Sequence, residues 1–302
     1  MPRIKDVVID ADLCTGCGLC LEVCPKNIIS LEQGKARVTD GQSMHCGHCA
    51  AACPQGAVTI RSLDPETGSF HSFSTREEWM AHGDFDIAEL VRLMRSRRSC
   101  RNFAQKPVED AVLHDLVKIG ITAPSGTNSQ KWTFTLLAER TAVMALGDRI
   151  GAFFKRLNRM AANPLLRTAL RFAGKSTLDR YYRRHYPSVQ KALRRWEEQG
   201  EDLLFHGAPA VMVIGSAPGA SCPAEDGLLA TQNILLAAHA LGLGTCLIGY
   251  AVEAMRRDHS ITNALSIPRE EQVHAVIALG YPDETYQRVA LRKMPIIRTV
   301  RP

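Results

Sequence analysis

Two cysteine runs near the start of the chain constrain its fold more than any other feature. The first run, CTGCGLCLEVCP, places Cys14, Cys17, Cys20 and Cys24 at the spacing C-x2-C-x2-C-x3-C, and Pro25 follows at once. Three cysteines at this spacing on one tight loop can bind three corners of a cubane iron–sulfur cluster, while the fourth points away toward a second cluster. A run of this kind therefore requires a partner run elsewhere in the chain.

The stretch QSMHCGHCAAACP (residues 42–54) is that partner, with Ser43 in register with the first cysteine of the first run. The spacing is typical of bacterial ferredoxins with two iron–sulfur clusters, in which the last cysteine of each run ligates the other cluster. Cluster I then takes Cys14, Cys17, Cys20 and Cys53. Cluster II takes Cys24, Cys46, Cys49 and whatever occupies position 43.

Position 43 leaves three alternatives for cluster II: a [4Fe–4S] cluster with the Ser43 oxygen or another non-thiolate on one iron, a [3Fe–4S] cluster, or no cluster. His45 and His48 lie beside the gap and are further candidate ligands. An assembled cluster is favoured, since its three cysteines would otherwise be free thiols beside an oxidisable cluster. A serine oxygen is a harder ligand than a thiolate and is expected to shift the reduction potential. A zinc ribbon would require two separated C-x2-C pairs, which the runs fit poorly.

The composition is that of an ordinary globular protein, with 302 residues, 45% hydrophobic and 23% charged. The first ten residues, MPRIKDVVID, lack the apolar stretch of a secretion signal, and no run of about 18 apolar residues predicts a membrane span. The sequence therefore predicts a cytoplasmic protein. Seven of the ten cysteines lie within residues 14–53. In this setting they are interpreted as thiolate ligands of metal rather than as disulfides.

Residues 151–200 are strongly basic, with twelve Lys or Arg against three Asp or Glu, while the rest of the chain is slightly acidic. Such a segment could bind an acidic protein, a membrane surface or nucleic acid through its positive charge. A solvated pair of helices explains the charge equally well, and nucleic acid is the least favoured partner.

The pattern changes after residue 62, which predicts a ferredoxin-like domain over residues 1–62, a linker over 63–85 and a second domain over 86–302. The second domain opens with a helix that has Asp86 as its N-cap and Glu89 three residues later, a capping-box arrangement. That helix ends in Arg97, Arg98, Ser99 and Arg101, whose donors suit a phosphate group.

The rest of the second domain alternates apolar and loop segments. APAVMVIGS and VHAVIALGYP are predicted to be buried strands, residues 226–241 a long apolar helix, and GLGTCLIG a glycine-rich turn. No G-x-G-x-x-G motif follows a strand, so the sequence shows no Rossmann site for a nicotinamide cofactor.

Five motifs in this domain, RRSCRNF, PSGTNSQKW, DGLLATQN, GLGTCLIG and GYP, resemble those of the FMN-dependent nitroreductase family in the same order. Together with the cysteine runs, the chain resembles the ferredoxin–nitroreductase fusions of anaerobic bacteria. The resemblance implies an α+β fold: a small ferredoxin-like domain followed by a nitroreductase-type sandwich, with flavin at a homodimer interface. It also implies that residues 151–200 form a basic insertion in the lid over the flavin.

The resemblance further implies a set of FMN-binding residues and no catalytic side chain. Arg97, Arg98 and Ser99 would contact the phosphate and ribityl chain, and Arg101 the pyrimidine edge. The isoalloxazine ring would be lined by Pro124, Ser125 and Asn128, and by Gly244, Thr245, Leu247, Ile248 and Gly249. Arg292 and Lys293 would close on the phosphate. Lys131, where the family usually has proline, is a minor departure.

Three functions are compatible with these features. The first is an oxidoreductase that passes electrons from a ferredoxin-type or other low-potential donor through the clusters and FMN to a nitro compound, quinone or enone. The second reverses the flow, from NAD(P)H at the flavin outward through the clusters. The third is a non-catalytic redox conduit or sensor that docks a partner through the basic insertion.

Overall fold

The N-terminal part of the chain folds around two small antiparallel sheets. The computed structural model describes residues 6–39 and 41–301. Strand β1 (Val7–Ile9) pairs with β4 (Val58–Ile60), and β2 (Ile29–Glu32) forms a hairpin with β3 (Lys35–Val38). The short helices α1 (Leu19–Glu22) and α2 (His48–Ala51) lie in the two cysteine runs.

The two runs share a local geometry that their sequence repeat predicts. Gly18 precedes α1 and Gly47 precedes α2, and both glycines adopt left-handed backbone angles, with φ of 84° and 73°. Glycine takes this conformation without the steric cost that a Cβ imposes. Each helix then buries one cysteine, Cys20 in α1 and Cys49 in α2. The chain therefore presents two similarly shaped cysteine loops.

Residues 63–85, interpreted from the sequence as a linker, contain only one 3-10 helix, Pro65–Gly68. Part of this segment is nevertheless firmly attached to the second domain. The buried carboxylate of Asp115 accepts hydrogen bonds from the backbone N–H of His71 at 3.0 Å, and from the backbone N–H and the hydroxyl of Ser72 at 2.6 Å each. A buried carboxylate requires such partners, so Asp115 ties the connection to its helix.

The second domain is built on one four-stranded antiparallel sheet. Its strands are β5 (Trp132–Leu137), β6 (Ala210–Ser216), β7 (Gly244–Leu247) and β8 (Gln272–Gly280), in the order β5-β6-β8-β7. The two central strands, β6 and β8, are buried along almost their whole length. The α+β class predicted from the sequence is therefore confirmed.

Helices cover both faces of this sheet. They are α3 (Ile87–Ser96), α4 (Asp110–Gly120), α5 (Arg140–Ala162), α6 (Pro164–Phe172), α7 (Thr177–Arg184), α8 (Tyr186–Gln199), α9 (Pro223–Ala240), α10 (Gly249–Arg257) and α11 (His259–Asn263). On one face, α4 and α9 pack with side chains such as Met212 and Ile277. On the other, α5 and α10 enclose a second apolar core that includes Val211 and Val276. Among the described residues, no helix is long and apolar enough to cross a membrane.

In the second domain, one predicted helix is present and one predicted turn is a strand. The helix expected after Asp86 is confirmed, and the Asp86 carboxylate accepts a hydrogen bond from Ala88 N–H. The stretch GLGTCLIG, expected to be a turn, instead contains the edge strand β7, because its backbone pairs with β8. The basic stretch, expected from about residue 151 to 200, begins within α5 and continues through α6 and α7 to the end of α8.

The charge of the insertion is partly neutralised within the chain. Ion pairs join Lys155 to Glu197, Arg156 to Asp258, Arg195 to Glu201, and both Arg167 and Arg183 to Asp179. Within residues 6–39 and 41–301, five of the twelve cations therefore have a carboxylate partner.

Candidate functional site

Two cavities in the N-terminal part match the two predicted ligand sets. Each contains about 340 Å³ of space free of protein atoms, part of it open to solvent. The lining of the first, here called cavity I, includes Cys14, Cys17, Cys20 and Cys53. The lining of the second, cavity II, includes Cys24, Ser43, Cys46 and Cys49. The structure thus groups all eight residues as the swapped-ligand rule predicts, and their metal-binding role is a proposal.

The donor chemistry of these cavities fits cubane clusters better than single ions. Among the described residues, no three His, Cys, Asp or Glu side chains converge to hold one metal ion. In cavity I, the backbone N–H of Ala36 lies 3.4 Å from Cys14 Sγ, and that of Ala57 lies 3.3 Å from Cys53 Sγ. The amides of Ala36 and Gly16 lower the pKa of Cys14, which favours the thiolate that a cluster requires.

Ser43 occupies the fourth position of cavity II, and its hydroxyl accepts a hydrogen bond from His45 N–H at 3.0 Å. The ring of His45 is directed elsewhere, with Nδ1 2.7 Å from Asp6 Oδ2 and 3.0 Å from Ser62 Oγ. His48, the other candidate ligand, lines the cavity. Ser43 and His48 are therefore better placed than His45 to complete cluster II.

A cationic site lies at one end of the sheet of the second domain. Ser99 forms a parallel bridge with Thr245, and Cys100 N–H donates to Thr245 O at 2.9 Å, so this segment continues the sheet beyond β7. Arg98 lines a cavity of about 990 Å³ together with Gly244 and His239. A Cβ on Gly244 would lie 2.7 Å from Cys100 Cβ, so this close approach requires glycine.

The arginines of this site fit an anionic group. Burial, and next the charges of Arg98 and Arg292, lower the pKa of Arg97, so the guanidinium group of Arg97 lies close enough to the other two to be repelled by them. Within the part of the chain that the structure describes, none of the three forms an ion pair with a carboxylate. A phosphate placed among them would relieve the repulsion and satisfy their donors.

The other residues predicted to bind FMN near this end of the sheet differ in their exposure and secondary structure. Leu247 is exposed, Ile248 is buried, and Gly249 begins α10. Arg292 and Lys293 lie on the exposed, irregular C-terminal segment. Arg101 is exposed and lies close enough to His206 for its charge, after burial, to lower the pKa of that imidazole. Burial also raises the pKa of the nearby Cys100 thiol to about 11, so this thiol stays protonated at neutral pH.

The predicted ring-lining residues Pro124, Ser125 and Asn128 belong to a separate loop, here called the PSGTNSQ loop (residues 124–130). Gly126 N–H donates to Asp226 Oδ1 at 2.8 Å, which fixes the loop at the start of α9. Thr127, Asn128 and Gln130 all have positive φ, between 48° and 55°. Non-glycine residues hold this conformation only where their surroundings impose it.

The PSGTNSQ loop and the arginine site lie at diagonally opposite corners of the sheet. The loop leads into Trp132, which is level with Gln272 of β8, whereas Thr245 is level with Leu279. Seven residues of strand cover about 23 Å. The loop and the arginines also flank opposite edge strands, three strand spacings or about 14 Å apart. The diagonal is therefore about 27 Å, which is longer than an extended FMN molecule. One chain therefore does not bring the predicted FMN residues together.

The same loop contacts the N-terminal part of the chain, which sequence reasoning did not anticipate. The Asn128 side-chain NH₂ donates to Met44 O and to His45 O, both at 2.9 Å, and Gln130 donates to His45 O at 3.4 Å. Met44 lines cavity II. No motif signals this contact, because its acceptors are backbone carbonyls, which every residue carries.

The family of the chain follows from comparison with known proteins. Residues 94–281 match the model of the nitroreductase family, and residues 6–63 match a 4Fe-4S dicluster domain. A putative NADH dehydrogenase/NAD(P)H nitroreductase of Archaeoglobus fulgidus is 24% identical, over 66% of this chain and 88% of its own. An uncharacterized ferredoxin of Methanocaldococcus jannaschii is 35% identical, over 20% of this chain and 84% of its own.

A solved structure with a similar fold is a BluB-like flavoprotein from Clostridium difficile, with a TM-score of 0.50 and 17% sequence identity, covering 69% of this chain and 99% of that one. This similarity concerns the fold alone. The family model, in contrast, covers well over half of the chain. The chain therefore belongs to the nitroreductase family and carries, ahead of that domain, a 4Fe-4S dicluster ferredoxin domain.

Proposed function

We propose that this protein is an FMN- and iron–sulfur-dependent oxidoreductase that delivers electrons from its clusters to FMN and on to an electron-poor small molecule. Nitro compounds, quinones and enones form the substrate class. The observation that carries the proposal is the hydrogen-bonded contact between the wall of cavity II and the PSGTNSQ loop, made by Asn128 and Met44. An iron–sulfur domain held directly against a loop of the proposed flavin site is well placed to reduce that flavin.

The arginine site supports FMN as the cofactor. Arg97, Arg98 and Arg292 would hold the phosphate, and Arg101 would place positive charge near the pyrimidine edge, where the reduced flavin is anionic. FMN supplies the conversion between one-electron delivery and two-electron reduction. The protein's own contribution is to hold the two domains together and to orient the bound groups.

A homodimer is part of the proposal because an apolar surface lies open in the single chain. On α3, Ile87, Val91 and Met94 are 67%, 41% and 46% exposed, and on the adjacent α9, Leu228 and Leu229 are about half exposed. Exposed apolar side chains grouped on neighbouring helices are typical of an interface. The separation of the two halves of the flavin site also requires a second chain to complete it.

The direct test is anaerobic reduction of the purified protein. Reduced ferredoxin or dithionite should bleach the flavin and sustain turnover of a nitroaromatic or quinone. Bleaching by NAD(P)H alone, followed by reduction of an external one-electron acceptor, would instead favour outward flow. The name of the Archaeoglobus relative is the observation that keeps this second direction open. Absence of flavin from the protein would contradict both.

Binding of FMN is tested separately with arginine variants. Arg97→Ala removes a guanidinium from the proposed phosphate site, and a hydrogen bond to a charged group contributes about 1.5–3 kcal/mol. The expected result is an FMN Kd raised by about tenfold to a hundredfold. Arg92→Ala is the matched control, since Arg92 lies on the helix that ends just before Arg97 but pairs with Glu89 on the surface. Equal loss of FMN in both variants would argue against the site.

A further inference from the structure

We propose that the ferredoxin domain of one chain delivers electrons to the flavin that is held by the arginines of its partner chain. The inference rests on the proposed function, in which FMN is bound and the protein is a homodimer. It goes further by stating which cluster meets the flavin and on which chain that flavin is held.

Cavity II is the one nearer to the flavin-site loop. Met44 lines this cavity, and its carbonyl oxygen receives a hydrogen bond from Asn128. Among the described residues, none that lines cavity I forms a hydrogen bond with the second domain. Electron transfer slows steeply with distance, so the proposed order is external donor, cluster I, cluster II and then flavin.

The contact surface of cavity II is specialised for this docking. Counting from the first position of each run, His45 stands where the first run has Gly16, and both residues have positive φ, 55° and 75°. His45 holds this conformation with its ring bound to Asp6 and Ser62. The strained turn directs the carbonyls of Met44 and His45 toward the NH₂ group of Asn128, which uses both of its hydrogens on them.

The loop that receives this docking lies about 27 Å from the arginine site of its own chain, as the sheet register requires. A twofold dimer repeats every contact, so a loop of one chain that meets the arginine site of the other does so twice. Each flavin then lies between the arginines of one chain and the PSGTNSQ loop of its partner. Cavity II is attached to the PSGTNSQ loop of its own chain. The cluster nearest to each flavin therefore belongs to the chain that provides this loop, and not to the chain whose arginines hold the flavin.

Cluster II gives up one electron at a time. After each of the two transfers, one molecule of a low-potential donor such as reduced ferredoxin reduces cluster II again through cluster I. Two electrons, with one proton from solvent, convert the oxidised flavin into its anionic reduced form.

The experiment uses two mixed dimers of the full-length chain, each purified through two affinity tags. In the first, one chain carries Cys46→Ala and Cys49→Ala, and the other carries Arg97→Ala and Arg98→Ala. In the second, one chain carries all four substitutions and the other is wild type. Each mixed dimer retains one intact arginine site and one intact cluster II, so the two differ only in whether these share a chain.

The first measurement is FMN content, expected to be about one per mixed dimer in both, since one arginine site survives. The second is bleaching of FMN by reduced ferredoxin, with dithionite showing that each flavin is reducible. Fast bleaching in the first mixed dimer and its loss in the second is the expected result. The reverse pattern would place donor and flavin on one chain and overturn the proposal, and equal rates would overturn it as well.

Three further outcomes are informative. If the cysteine substitutions also remove cluster I from their chain, the bleaching rates of the two mixed dimers can still be compared, because the comparison requires only that FMN binding and dimerisation survive. If wild-type protein binds FMN but neither mixed dimer does, the arginines of one chain do not suffice to hold a flavin, and the proposed arrangement is wrong. If wild-type protein binds no FMN, the proposed function itself fails.

Discussion

A Cβ atom on Gly16 would lie 2.0 Å from the carbonyl oxygen of Gly34, far inside any tolerated contact. The first cysteine loop therefore packs directly on the turn of the β2–β3 hairpin, and Gly16 also has a positive φ of 75°. This close approach forms part of the frame around cavity I, since Gly16 lines that cavity.

Gly16→Ala is therefore expected to disrupt cluster I, because the backbone of Gly34 has no flexible end that moves aside. Gly18→Ala is the matched control: Gly18 has φ of 84° but nothing within 4 Å of its Cβ position. It should incur only the left-handed backbone cost of roughly 1–2 kcal/mol. Iron and sulfide analysis of the two purified variants makes the comparison, and equal iron content would show that the loop adapts to the contact.

Asn128→Ala should loosen the docking of the ferredoxin domain. It removes two hydrogen bonds to the Met44 and His45 carbonyls, each contributing about 0.5–1.5 kcal/mol. Gln130→Ala removes only a 3.4 Å hydrogen bond to His45 and should have a smaller effect.

The measurement for Asn128→Ala is hydrogen exchange of the amides in residues 43–46, together with the rate of FMN bleaching by reduced ferredoxin. We expect faster exchange and slower bleaching than in Gln130→Ala. Unchanged exchange in both variants would mean that the docking does not depend on this contact.

Substitutions at Ser43 test how many irons cluster II holds. If its oxygen completes a cube, the wild-type protein contains about eight irons per chain, and Ser43→Ala lowers this to about seven, with the EPR signal of an oxidised [3Fe–4S] cluster. Ser43→Cys should retain about eight irons and change the potential of cluster II alone. About seven irons in the wild type would show an empty corner. A large change in the cluster I signal in either variant would contradict the ligand assignment, because Ser43 lines cavity II and not cavity I.

Asp115 should contribute stability that is lost in acid. Burial acts to raise its pKa, but the hydrogen bonds from Ser72 and His71 outweigh burial and hold the pKa of Asp115 below its usual value. A carboxyl whose pKa is depressed in the folded state stabilises that state above its unfolded pKa, near 4, and ceases to do so as the pH falls through the folded pKa.

Asp115→Asn should therefore lower the Tm at pH 7 by several degrees, since roughly 1 kcal/mol corresponds to about 2–4 °C in a domain of this size. The gap to wild type should stay constant from about pH 7 to pH 5 and narrow below about pH 4. Asp110→Asn, an exposed change on the same helix, should leave the Tm nearly unchanged. A gap that does not narrow in acid would mean that the substitution acts through packing and not through charge.

The sequence predicted most of what depends on local spacing. The eight residues predicted as cluster ligands line two cavities in the two predicted groups, because the separations within each run set which side chains share a loop, and their role as ligands stays a prediction. Asp86 was identified as a helix N-cap for the same reason, since the bond it accepts is two residues away. Asp115 was missed, because one carboxylate in a helical pattern reads as a solvent-facing residue until its partners on residues 71 and 72 are known.

By itself, then, the sequence predicted the two groups of residues that line the cavities of the ferredoxin domain, the α+β class and the residue types suited to a phosphate. Those properties follow from spacing, periodicity and side-chain chemistry. Only the tertiary structure decided that Asn128 holds Met44 and that the loop of Asn128 lies far from Arg97. The register of an antiparallel sheet sets such long-range distances, and it is specified by the packing of the whole domain rather than by any single motif.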